Sequence, residues 1–275
     1  MTTTGPTNGN GQSRAIVKPG ERLDNIKAQL GKAMPSLSQL LPSHIKADRM
    51  LRVITSAVSK TPELLVCDPK SVVLAAAQAF ALGLEPNTAL GLGYLVPFKN
   101  VCTFIPGYRG LARLAVNTGE VQVVQARAVY QRDAFEVHFG TNPRIEHSPC
   151  LDGDPGPLIA VYAVAIMKSG VPAFDVMTLK AVNAIRDRSK SASNGPWVTD
   201  FDEMAKKTVF RRLCKTLPLS EERFARALDL QTKAEGGEAP DFSDIIDVVP
   251  ELGDDEPEAS RTESLADRLQ SKAAS

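Results

Sequence analysis

The sequence is poor in the residues that usually carry chemistry. Three histidines, four cysteines and one tryptophan occur in 275 residues. Cys67, Cys102, Cys150 and Cys214 lie far apart with no Cys-x-x-Cys pair, which argues against a metal knuckle. In a reducing compartment they are expected to be buried or idle thiols. His44, His138 and His147 form no His-Glu-x-x-His pattern. His138 alternates within FEVHF and reads as a strand residue. No run approaches the ~18 apolar residues of a membrane span. The start, MTTTGPTNGNGQS, has no charged region followed by an apolar stretch, so no signal peptide is expected and the chain should stay in the cytosol.

Nucleotide and metal motifs are missing too. No Gly-x-x-x-x-Gly-Lys-Ser/Thr loop occurs. Gly91 and Gly93 lead into a strand instead of opening a helix, so a dinucleotide fingerprint fails in context. Asp152 and Asp154 sit in DGDPGP, too short and proline-rich for a calcium loop. They read as turn residues. No Ser, Cys or Thr stands beside a recognisable base, and the acids of the body are scattered, which disfavours a two-metal nuclease. No catalytic residue, metal or cofactor is expected.

What is present is ordinary composition with unusual charge placement. Apolar residues make up 43% and charged residues 23%, which excludes collagen-like or wholly disordered chains. Net charge is zero, but residues 234–275 carry 12 acids against 3 bases, and residues 1–233 carry 29 bases against 20 acids. A basic body joined to an acidic tail points to a polyanion partner; a soluble body with an unrelated solvated tail is the alternative.

Residues 1–19 should form a disordered arm and 20–232 one core, with an acidic linker and tail over 233–275. Within the tail, residues 262–272 could make a short docking helix through Leu265 and Leu269. Helical periodicity marks 21–33, 44–60 capped by Ser43, and a segment from Asp68 to a left-handed cap at Gly83. YLVPFKNVCTFIP then predicts a hairpin turning at Lys99-Asn100. GYRGLARLAVNTG predicts a helix, residues 120–140 two alternating strands, and 158–179 a second hairpin near Ser169-Gly170. Helices over 178–188, 199–216 and 220–233 follow, capped by Thr178, Thr199 and Ser220. Helices, then five or six short strands with one helix inserted, then helices make an α+β fold with a small antiparallel sheet.

Two basic groups stand out. Residues 186–215 hold Arg186, Arg188, Lys190, Lys206, Lys207, Arg211, Arg212 and Lys215 against four acids. The helix dipole accounts for the acids in the first turn of 199–216 but hardly for the bases that follow. A basic ridge for nucleic acid is the reading set against the helix dipole. Trp197 follows this basic loop, as a core anchor or a stacking platform. The second group is Lys99, Tyr108, Arg109, Arg113 and Arg127. Bases stack on an aromatic ring while guanidinium groups hold phosphates, each stacked base giving ~1–3 kcal/mol. Tyr108 is equally readable as packed core.

The string LGLEPNTALGLGYLVPFKNVCTFIPGYRGLARLA resembles the central signature of RecT-type phage recombinases, the single-strand annealing proteins. The resemblance continues through VYQRDAFEVHFG, His147–Pro149, VYAVAIMKSG and the SKS…GPW…EMAKKTVFRRLCKTLP stretch, over roughly 35–218. It implies a non-enzymatic protein of the bacterial host cytoplasm that binds single-stranded DNA and pairs complementary strands without ATP, through an annealed duplex intermediate. It also implies homo-oligomeric rings or helical filaments, a basic groove between sheet and helices, a phage 5′→3′ exonuclease partner and the host single-strand-binding protein. The reading from another class is a phage scaffold or assembly protein that binds acidic protein surfaces.

Overall fold

The computed structural model describes residues 19–249 apart from 190, 191, 194, 195, 220, 244, 246 and 248. The expected N-terminal arm, the cap at Ser220, Lys190 and the tail helix over 262–272 lie outside the described residues.

Helix α1 (Pro19–Leu40) buries Ile26, Leu30, Ala33 and Leu37 at helical spacing. It runs seven residues past the expected end at 33, straight through Pro35. A proline inside a helix costs about 3 kcal/mol because its N–H is missing and its ring crowds the carbonyl four residues back. Leu37, fully buried beyond the proline, returns about 2 kcal/mol of that. Helix α2 (Ala47–Lys60) starts later than expected. Lys46 occupies its N-cap without a side-chain bond, and Ser43 lies in the preceding turn. Pro42 and Ile45 are held in that turn against Gly83, where an added methyl would sit 2.8 Å from either side chain.

After a 3₁₀ turn (Pro62–Val66) comes α3 (Pro69–Leu82), the centre of the molecule, buried from Ser71 to Leu82. Both its ends are as the sequence predicts. Asp68 accepts from the Lys70 and Ser71 amides, and Gly83 takes φ 65°. Ser71 also ties the helix to the second strand of the hairpin that follows, since its Oγ accepts from the Cys102 amide at 2.9 Å.

The hairpin β1 (Gly93–Phe98) and β2 (Val101–Pro106) pairs antiparallel, with Lys99 at its tip in the left-handed region at φ 58°. Helix α4 (Tyr108–Asn117) follows. A three-stranded antiparallel sheet has β6 (Leu158–Met167) between β3 (Val121–Tyr130) and β7 (Pro172–Thr178). β4 (Ala134–His138) and β5 (Arg144–Ser148) form a separate hairpin, so the described residues hold seven strands where five or six were expected. β5 is short and bracketed by Pro143 and Pro149, which hid it. Its root is pinned by a polar cluster. The Asp133 carboxylate accepts from the Tyr130 and Cys150 amides and faces His147, whose other ring nitrogen meets Tyr162 Oη at 3.2 Å. In the loop below, Asp154 accepts from the Gly156 amide, the turn role expected of it.

α5 (Leu179–Arg186), capped by Thr178, and the single turn α6 (Pro196–Thr199) lead to α7 (Phe201–Cys214). The expected cap Thr199 is not the cap of α7: its hydroxyl donates to Asp200, the N-cap residue, at 2.6 Å. α8 (Glu222–Gly236) ends at Gly237, φ 67°. The chain beyond was expected to be a linker, yet Ile245 and Val249 are 0% and 1% exposed in the main core. Gln78, buried on α3, donates to the Asp241 carbonyl at 2.9 Å. Ile245, Val249 and half-buried Phe242 dock this acidic stretch on the core. Of the four free thiols Cys67, Cys102 and Cys214 are buried, and Cys150 is half-buried. Among the described residues no helix is long and apolar enough to cross a membrane.

Candidate nucleic-acid interface

Two glycines bring the first basic group together. The start of α4 lies against the loop before β1. An added methyl at Gly107 would come 2.3 Å from the Gly91 carbonyl oxygen, and one at Gly110 2.1 Å from that of Leu92. No larger residue allows this approach. The contact sets Tyr94 of β1 beside the first turn of α4, which carries Tyr108 and Arg109. Both rings face solvent, Tyr94 at 46% and Tyr108 at 37% exposure. Arg109 Nε lies 3.5 Å from Tyr108 Oη, and Tyr108 meets Phe210 of α7 edge-on at 6.0 Å between centroids. Arg113 lies one turn further along α4, exposed at the mouth of a cleft of about 450 Å³ that also holds His44 and Arg223. Lys99 stands exposed at the hairpin tip. The result is an exposed pair of tyrosines around a guanidinium, with further bases on the hairpin and helix that carry them.

Tyr94 was not among the residues singled out by sequence. Period two along β1 places it outward with Val96, opposite buried Leu95, and an outward aromatic on a hairpin was the signal available.

Arg127 does not join this group. It pairs in register with Tyr162, on the sheet face that packs against Phe135 and Ile145 of the β4–β5 hairpin. The other face, with Val161, Ala163 and Ala165, joins the core that contains α7. Arg127 bonds Gln125 at 3.1 Å.

Each of the four bases within α7 has a carboxylate partner: Lys207 and Arg211 share a side of the helix, as their spacing predicts, and Lys206 and Arg212 each have a partner of their own. Lys206 pairs with Glu203 at 2.5 Å. Arg212 forms a two-pronged pair with Asp175 of β7 and donates to the Val176 carbonyl at 3.0 Å. Lys207 and Arg211 share Glu235 of α8, the lysine at 3.2 Å. Burial pulls the Lys207 ammonium below its ordinary value. Arg186 pairs with Asp187 at 2.8 Å and lies over the Phe201 ring. Arg188 donates to the Ala184 carbonyl at 3.1 Å. Lys215 is exposed with no ion pair among the described residues. Trp197 is 5% exposed, 5.9 Å from the Phe201 ring, which is the position of a core anchor. It offers almost no ring to a ligand.

Among the described residues no group of three or more His, Cys, Asp and Glu side chains is placed to hold a metal ion. Around Tyr94 and the start of α4 the exposed groups are guanidinium, ammonium and phenol, a set suited to phosphate oxygens and base faces.

The family model described as RecT family matches residues 48–248. The chain is similar to Protein RecT of Escherichia coli (strain K12), 44% identical over 206 residues, covering 72% of this chain and 76% of that protein. It is also 25% identical over 231 residues to the uncharacterized protein YqaK of Bacillus subtilis (strain 168), covering 80% and 78%.

Proposed function

The chain belongs to the RecT family, and on that premise we propose that it binds single-stranded DNA and anneals complementary strands without ATP in phage homologous recombination. The observation that carries the reading, beside the family, is the exposed Tyr94–Arg109–Tyr108 platform. Annealing makes and breaks no covalent bond, so it needs no catalytic group. It needs backbone charge neutralised so that two polyanions can approach, and base edges left free to pair. Rings that stack on base faces leave those edges free, and Lys99, Arg109 and Arg113 supply the charge. Of the α7 bases, Lys206, Lys207, Arg211 and Arg212 serve first to hold the fold together through Glu203, Glu235 and Asp175. Lys215 and Arg188 remain on the surface.

The same reading has the chain assemble with copies of itself into a ring or helical filament, which extends the platform along DNA. Its partners would be a phage 5′→3′ exonuclease, which exposes the strand, and the host single-strand-binding protein. Base stacking drives the pairing, so no nucleotide is consumed.

The test is direct. Two complementary oligonucleotides are mixed in buffer free of nucleotide, and duplex formation is timed with and without protein. Faster pairing is expected. If the assembly meets 6–10 phosphates, affinity for a single strand should fall roughly 300- to 16,000-fold between 50 and 200 mM salt, at ~0.7 per phosphate. Pairing no faster than in buffer alone, with the protein folded, overturns the proposal.

A further inference from the structure

A further basic surface lies on α2, made of residues outside both groups that the sequence pointed to. Arg49, Arg52, Ser56 and Lys60 fall within an arc of ~80° on one side of this helix and extend over ~16 Å. They form one wall of a cleft of about 700 Å³. The other wall is the loop of Asn87 and Thr88. Among the described residues the lining includes no carboxylate, although Glu85 stands behind Arg49. Arg49 is held by Glu85, its Nε 2.5 Å from Oε1 and a terminal nitrogen 3.1 Å from Oε2. Arg52 and Lys60 are exposed and have no ion pair among the described residues. Thr88 Oγ1 is buried in the wall without a hydrogen-bond partner.

The loop wall is rigid. Asn87 sits at φ 53°, its amide donates to the Gly93 carbonyl at 2.9 Å, and its side-chain oxygen accepts from the Leu95 amide at 2.7 Å. Its other end reaches the tyrosine platform, since an added methyl at Gly91 would meet Tyr94 Oη at 3.2 Å and Arg109 Cδ at 3.7 Å. One short loop therefore separates the cleft from the platform.

We propose that the α2 cleft is a phosphodiester site, in which Arg52 and Lys60 hold two backbone phosphates of nucleic acid next to the platform. A lining with cations, hydroxyls and an amide, and no acid, suits phosphate oxygens, which only accept hydrogen bonds. The inference rests on the annealing reading above. Two strands are candidate sources of the phosphates, the strand already stacked on the tyrosines or the incoming complement.

The experiment compares the full chain with the double variant R52A/K60A and the charge-preserving R52K/K60R. Both positions are exposed, and circular dichroism checks that the fold is kept. Binding of a labelled oligo-dT is measured from 50 to 200 mM salt, and annealing of a complementary pair is timed. If the first strand fills the cleft, R52A/K60A has a salt slope shallower by ~1.4. Its affinity deficit is then about sevenfold wider at 50 than at 200 mM, from ~0.7 per phosphate on a single strand. If the incoming strand fills it, oligo-dT binding is unchanged and the annealing rate falls at least about tenfold. Either result supports the site, with R52K/K60R near the unsubstituted chain. R52A/K60A matching the unsubstituted chain in both arms overturns it. So does lost self-association in light scattering with DNA binding intact, which would assign the cleft to an acidic segment of another copy. Failure of the unsubstituted chain to bind oligo-dT would sink the annealing reading itself and is recognisable as such.

Discussion

Replacing Tyr94 with alanine separates stacking from charge. The ring is 46% exposed, and its neighbours Gly93 and Leu95 keep the hairpin packed on the core. Folding stability should change by no more than about 0.5 kcal/mol. If one base stacks on the ring, binding loses ~1–3 kcal/mol. At 1.4 kcal/mol per tenfold this is about a 5- to 150-fold rise in Kd. No phosphate contact is removed, so the slope of log K against log salt should not move. R109A should do the reverse, with a slope shallower by ~0.7. Y94F, which keeps the ring and loses the hydroxyl, should bind within about twofold of the unsubstituted chain. Fluorescence anisotropy with labelled oligo-dT at several salt concentrations reads all three variants. If Y94A binds within twofold of the unsubstituted chain, the ring is not a platform. If Y94F is as weak as Y94A, the phenol hydroxyl makes the contact and the stacking argument is wrong.

Other consequences are as open to measurement. G110A puts a methyl 2.1 Å from the Leu92 carbonyl oxygen and should cost at least about 2 kcal/mol, read as a lower melting temperature; an unchanged melt would show that the loop yields freely. The Asp133 carboxyl is held below the usual carboxylate range, first by the Tyr130 and Cys150 amides and then, against some loss to desolvation, by His147. Its stabilisation is therefore present above the unfolded carboxyl value near 3.9 and is lost as pH falls through the folded one. D133N should cost about 1.5–3 kcal/mol in urea unfolding at pH 7, with the gap to the unsubstituted chain closing below about pH 4; a gap independent of pH would remove the carboxylate from the account. Ending the chain after 249 should leave DNA binding equal or tighter by removing anionic residues, whereas ending it after 233 should also unfold part of the core by removing Ile245 and Val249; equal melting temperatures for both would contradict their burial.

Local chemistry was the legible part. The ends of α3 follow from Asp68-Pro69 and Gly83, and the first hairpin from alternation around Lys99-Asn100. Thr178 caps α5 as expected. Where packing outranks propensity, the sequence misleads. α1 crosses Pro35 because Leu37 has a place in the core, and Ser43 is set aside because Pro42 and Ile45 pack under Gly83. The site divides the same way. Tyr108, Arg109 and Arg113 are close in sequence and stay close in space. A helical wheel shows where Lys207, Arg211 and Arg212 point but not what stands opposite. Glu235 and Asp175 are each more than twenty residues away and answer that only in the fold. Arg127 looked like a neighbour of Arg109 and is on the outer face of the sheet.

The unequal burial of the four thiols has a practical use. Desolvation pushes the Cys214 thiol up to about 12 and that of Cys102 further still, so neither forms an appreciable thiolate at neutral pH. Cys67 is raised in the same direction. Cys150 is the one among them with partial access to solvent. A maleimide dye should therefore attach to the unaltered chain at a single position beside the β5 root, giving a fluorescent reporter of assembly without any engineered cysteine.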